Sequence, residues 1–143
     1  MFDQHAEIRK ILKRIMESVH SLDYERVRDL IPDDGVYFGS AAVKAQGYDE
    51  LYEKQFSRVW PVIDEFKIEP ASISIHTSDK IAWAICLFES TVPVTGVEPP
   101  ARKGRMTFIF ERRNEKWVMV HSHDSLYPTR EDNSKKPHLD MGT

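Results

Sequence analysis

The chain has 143 residues, of which 41% are hydrophobic and 30% charged, and carries a formal net charge of -3. At this length a single domain hides about 70% of the surface its unfolded chain would expose, so one real core is available and a second domain is not required. The charge balance gives no electrostatic reason to expect DNA or RNA as a partner: the basic pairs Arg102/Lys103 and Arg112/Arg113 stand apart and read as solvated turns.

In chain order, Ile8, Ile11, Leu12, Ile15, Met16 and Val19 recur at helical spacing with Arg9, Lys10, Lys13, Arg14 and Glu17 around them, which predicts an amphipathic first helix. Ser21 and Asp23 can cap a short second helix carrying Tyr24, Val27, Leu30 and Ile31, and Pro32 closes it. Val36 to Phe38 is β-prone and stops at Gly39. Gly47 then precedes Tyr48, Leu51, Tyr52, Phe56, Val59 and Trp60, the aromatic face of a third helix that Pro61 ends. From Glu65 to His76 the alternation is imperfect, with Pro70 at a bulge or an edge, and a turn follows over Thr77 to Lys80.

Ile81 to Phe88 predicts a strand that is apolar on both faces, with Ile81, Trp83, Ile85 and Leu87 on one and Ala82, Ala84, Cys86 and Phe88 on the other. Helices can cover one face. The other is expected to meet a second subunit, in a homodimer or a larger homo-oligomer. Cys86, the lone cysteine, forbids an internal disulfide and reads as a small hydrophobe. Pro93 to Pro100 is a connection. Beyond it, two alternating runs, Met106 to Glu111 and Trp117 to Ser125, flank the polar link RRNE as an antiparallel hairpin does. The domain is expected over residues 1–128, with a polar mobile tail over 129–143. The N-terminal MFDQHAEIRK lacks the apolar core of a signal peptide and no apolar run approaches a membrane span, so a cytoplasmic protein with no membrane partner is expected.

The hairpin carries the chemistry. Met106, Phe108 and Phe110 share a dry side of its first strand. If that side continues across the hairpin as Val118 and Val120, it carries Ser122 and Asp124 toward the core and leaves Trp117, Met119, His121 and His123 on the outer, oligomer-forming face. Asp124 is read in two ways: as a carboxyl in an apolar hollow, its charged form disfavoured and its pKa raised into the useful range, or as an exposed or arginine-paired strand-end aspartate. His121 and His123, two apart on one strand, lack a third and fourth partner at a telling spacing, so no metal site is assigned. No phosphate-binding glycine loop and no G-x-S-x-G turn is present, and no cofactor is called for.

The segments SLDYERVRDLIPDDGVYFG (Ser21 to Gly39), Gly47 opening a helix, DKIAW (Asp79 to Trp83), GRMTFIFERRNEKW (Gly104 to Trp117) and VHSHDS (Val120 to Ser125) occur in an order that resembles the SnoaL-like group of the NTF2-like superfamily. That superfamily also holds ketosteroid isomerases and the association (hub) domain of calmodulin-dependent kinase II. The resemblance, over Ile8 to about Pro128, implies an α+β cone: three N-terminal helices packed on a strongly curved, mainly antiparallel sheet that wraps a pocket for a small, partly apolar molecule. It places Tyr37, Ile15, Phe56, Trp60, Trp83, Ile85, Phe108, Phe110, Val120, Ser122 and Asp124 in or near that pocket. It implies that Asp124 corresponds to the final-strand acid/base of SnoaL-type cyclases, with Tyr37 or Ser122 in support. The positions of the isomerase tyrosine and base fall on Ile15 and Gly39, and its late acid falls near Thr107 or Phe108, so an enolate would lack the usual donors and base. Two functions stand side by side: proton transfer or ring closure on an aromatic or polycyclic molecule, and a non-catalytic ligand-binding or oligomerisation module like the hub domain.

Overall fold

Helix α1 (Gln4–Ser21) forms where Ile8, Leu12, Ile15 and Val19 repeat three or four residues apart, and all four are buried. Asp3 caps it, its carboxylate accepting from the Ala6 amide at 3.2 Å. The structure is a computed structural model that describes residues 3–93 and 101–128. The tail expected over 129–143, and most of the connection from Pro93 to Pro100, lie outside these residues.

The short second helix is a 3-10 helix, Tyr24–Leu30, with Val27 and Leu30 buried. The third is one helical run of changing pitch: α2 (Gly47–Leu51), a π turn (Tyr52–Phe56), α3 (Ser57–Val59) and a closing 3-10 turn (Trp60–Val62). Gly47 opens the run at φ 75°, where a side chain would also press on the Asp33 carbonyl at 3.2 Å.

The strands are β1 (Val36–Phe38), β2 (Ala45–Gln46), β3 (Asp64–Ile68), β4 (Ser74–Thr77), β5 (Ile81–Thr91), β6 (Ala101–Arg113) and β7 (Lys116–Leu126). They form one curved, open sheet in the order β2-β1-β7-β6-β5-β3, with β4 paired to the other end of β5. The break between β3 and β4 falls at a 3-10 turn over Pro70–Ser72. The expected α+β architecture is present, and the sheet is mixed: β1 runs parallel to β7 while its other pairings are antiparallel.

Register explains which faces are dry. On β5 and β6, Ala84 stands opposite Phe108 and Ala82 opposite Phe110, so small residues leave room for the two buried rings. The alternate positions Ile81, Trp83 and Ile85 point outward and are 43%, 37% and 43% exposed. This corrects the expectation for Trp83 and Ile85, which lie on the far side of the sheet from the interior. The helices lie against the sheet chiefly through its other strands, α1 on β3 and β4 and the 3-10 helix on β7.

A β-bulge corrects a second expectation. Ile109 pairs with His121 and Phe110 with Met119, so Val120 has no opposite number. One inserted residue reverses the alternation. On the turn side of the bulge Trp117 and Met119 face inward and are buried, and on the far side Ser122 does. Trp117 and Met119 therefore leave the outer face expected for them, while Val118 and Val120, expected inward, are only half-buried. Trp117 also ties α1 to the hairpin: its Nε1 donates to Glu7 at 2.7 Å, and the Arg112 guanidinium lies 4.4 Å over its ring.

Tyr37 secures the bulge. Its ring is fully buried and its hydroxyl donates to the carbonyl of Met119, next to the unpaired residue. Room for that hydroxyl exists because residue 35 is glycine; a Cβ there would sit 1.9 Å from it. Tyr37→Phe should therefore cost about 1–3 kcal/mol by stranding a buried carbonyl. Urea unfolding checks this as a lowered midpoint at unchanged slope.

Candidate functional site

Beyond the bulge, the inward face of β7 presents Ser122 and then Asp124, beside Met106 and Phe108 of β6. These residues border a hollow of about 70 Å³ between the sheet and the helices. Its helical wall comprises Ile15 and Val19 of α1, Val27 and Leu30 of the 3-10 helix, and Phe56 and Trp60. The last two rings stack at 4.4 Å, and Tyr24 stacks on the other face of Trp60 at 5.0 Å. One side of the hollow is polar. There Gln55, Ser40 and Arg102 meet, and Ser40 is exposed, so this side approaches solvent.

The polar side is built from the π turn outward. Gln55 is buried, and its Oε1 accepts from the amides of Ala41 and Ala42 at 2.8 and 2.9 Å, pinning the loop after β1. Its Nε2 donates to Ser40 Oγ at 3.1 Å, and Arg102 Nη2 donates to the same oxygen at 2.8 Å. Gly39 allows this approach, because a Cβ there would lie 2.3 Å from the Gln55 oxygen.

Asp124 is the acid of the hollow. Its Oδ1 is sealed from solvent and accepts no hydrogen bond from the described residues. Burial pushes its carboxyl up to about 7, against the smaller opposing pull of the Arg102 charge. Burial lowers the Arg102 value in turn, with the Asp124 charge acting the other way. Cys86, on the same inward face two strands away, is pushed up to about 12 by burial and by Asp124, so its thiol stays protonated and unreactive at neutral pH.

Of the residues singled out in the sequence, Ile15, Phe56, Trp60, Phe108, Ser122 and Asp124 meet at the hollow. Phe110 is fully buried behind it, its ring 6.0 Å from that of Phe108. Tyr37 is engaged with the Met119 carbonyl and does not line the hollow; burial pushes its phenol far above the ordinary value. Val120, at the bulge, does not line it either. His121 and His123 lie on the outer side, edge-on to Phe38 at 5.3 and 5.4 Å, and His121 Nδ1 is 2.7 Å from the Val36 carbonyl oxygen. Among the described residues no group of three or more His, Cys, Asp or Glu side chains is placed to hold a metal ion, and no helix is long and apolar enough to cross a membrane.

Arg102, Ser40 and Gln55 were not anticipated. Arg102 carried a usable signal, since it shares the period-two face of Met106 and Phe108. Gln55 carried none, because only the π turn shows which way it points.

A family model for the SnoaL-like domain matches residues 8–129. The chain belongs to the SnoaL-like family. Solved structures share the fold of this SnoaL-like chain. An NTF2-like superfamily protein from Salmonella enterica serovar Typhimurium superimposes with a TM-score of 0.73 at 16% identity, covering 96% of each chain. An NTF2-like protein of unknown function from Pseudomonas putida gives 0.72 at 22% identity, over 96% of this chain and 95% of the other. The association domain of C. elegans CaMKII gives 0.68 at 15% identity, over 85% and 95%. No curated protein matches in sequence.

In this SnoaL-like chain the acid of the last strand has a measurable signature. The native carboxyl holds its proton up to about 7, whereas an unfolded one releases it near 3.8, so between those values the native state binds more protons. Stability should then fall as pH rises through that window, by up to about 1.4 kcal/mol per pH unit, and level off on either side. Asn does not titrate, so Asp124→Asn should gain stability relative to the parent chain between about pH 4 and about pH 8. Urea titrations of both proteins across the range measure that difference.

Proposed function

We propose that this chain binds a small, partly apolar molecule in the hollow and moves a proton on it, with Asp124 as the acid/base. The observation that carries the reading is the Asp124 carboxyl itself, facing an apolar hollow with a sealed, unpartnered oxygen and a value near 7. A group so poised is present in both protonation states at neutral pH, as a residue that takes a proton from one atom and returns it to another must be. Ser122 is the nearby hydroxyl on the same strand face, and Tyr37 is assigned no part in the chemistry. The walls supply ring-stacking surface through Phe56 and Trp60. The volume of about 70 Å³ favours a compact guest; a polycyclic one requires those rings to swing outward. Isomerisation, or ring closure that begins with loss of a C–H proton, fits this arrangement.

The test is deuterium exchange, followed by proton NMR, at the acidic carbon of small cyclic ketones in heavy water. The parent chain should accelerate exchange and Asp124→Asn should lower that acceleration by about 10²-fold or more. Equal rates for the two proteins would remove Asp124 from the mechanism.

A second reading, self-association, has its own observation: Ile81, Trp83 and Ile85 form an exposed apolar strip on the outer face of β5. The CaMKII association domain shares the fold. Trp83→Glu should shift the assembly toward monomer in native mass spectrometry; a chain that is already monomeric at micromolar concentration contradicts this reading.

A further inference from the structure

We propose that Arg102 is the anion-binding residue of the hollow and that its ligand is a short-chain monocarboxylate, held with its apolar portion against Phe56 and Trp60. The inference rests on the hollow being a ligand site, and it names the chemical class that the site takes.

Arg102 lies on the inward face of β6, opposite Ser90 of β5. A guanidinium offers five N–H donors. Among the described residues it donates one hydrogen bond, from Nη2 to Ser40 Oγ. That bond fixes the side chain through a relay, since Ser40 is held by Gln55 and Gln55 holds the loop backbone. The donors are thus oriented and mostly unused. Arg102 and Asp124 form no ion pair within 4.0 Å, and both border the hollow, so a guest there can meet both groups. Across from Arg102, the fully buried Ser90 keeps a hydroxyl with no hydrogen-bond partner among the described residues.

The chemistry selects a carboxylate. One fixed cation matches one negative charge, and the planar fork of a guanidinium pairs with the two oxygens of a carboxylate. A phosphate dianion would require a second cation, and among the described residues Arg102 is the one Lys or Arg bordering the hollow. Apart from Ser40, Gln55, Ser122 and Asp124, the other walls are apolar or aromatic, which suits a branched alkyl or a single aromatic ring. With Asp124 protonated, Arg102 and a bound carboxylate leave the hollow neutral, so no charge is buried without a partner.

The probes are isovalerate and benzoate, each beside its methyl ester, followed by isothermal titration calorimetry with the intact chain. The acids should bind and the esters should bind about ten-fold to a hundred-fold more weakly, which is the range of a charge-assisted hydrogen-bonded pair. Arg102→Gln should abolish the preference, Arg102→Lys should retain part of it, and Asp124→Asn should bind the acids at least as tightly as the parent chain. The comparison of acid with ester in the parent protein holds even if a substituted chain fails to fold. Equal binding of acid and ester overturns the assignment of Arg102 while leaving the hollow a ligand site. Failure of both acids and both esters to bind overturns the assignment together with the occupancy on which it rests.

Discussion

The inserted residue at Val120 is the constraint on which the arrangement depends. A strand has two faces and a period of two, so β7 without an insertion could not bury both Trp117 and Asp124, which are seven positions apart. Shifting the alternation once lets the turn end of the strand supply large apolar groups to the core beneath α1, while the far end supplies a hydroxyl and a carboxyl to the hollow. Tyr37 satisfies a carbonyl beside the disrupted ladder. A tyrosine that looks in sequence like a pocket residue is better explained as the brace that lets such a pocket form.

The same division runs through the sheet as a whole. Ala82 and Ala84 yield space to Phe110 and Phe108, so the interior is dense near the hairpin turn; farther along β6 the inward positions become Gly104 and Arg102, and packing gives way to open volume and charge. Gly104 has its own reason, because the Phe88 ring occupies the place of its missing side chain, with a Cβ there only 2.2 Å from that ring. The helical run contributes in kind: its apolar positions close the hollow, and its π turn delivers a buried polar side chain, Gln55, to the loop that carries Ser40.

Much of the fold was legible because its signals are periodic. The i, i+3, i+4 pattern of α1, the aromatic run after Gly47 and the alternation on β5 and β6 each survive in the structure. At the site, Asp124 and Ser122 were placed inward through the expectation that Val118 and Val120 lead the inward face. That expectation fails at the bulge, and two residues beyond it the sides agree again. Bulges and π turns both add a residue without changing composition, which is why Trp117, Met119 and Gln55 were hidden from pattern reading. Trp83 and Ile85 were misplaced for a different reason: a strand that is apolar on both faces does not say which face is the interior, and only pairing with the bulky residues of β6 decides it. The polar side went unseen because Arg102 belongs to a basic pair that resembles a solvated turn.

The parallel pairing of β1 with β7 has a consequence for how the molecule comes into being. Val36 meets His121 across 85 positions of chain, so this pairing joins an early segment to a late one. During synthesis α1 can already meet β3 and β4, but the β1 edge must wait for β7 to leave the ribosome, and contacts of such long range close slowly. Asp124 arrives with that same strand. Any guest recognised in the hollow can therefore engage only the completed chain, and its binding would stabilise the finished protein over every partly folded form.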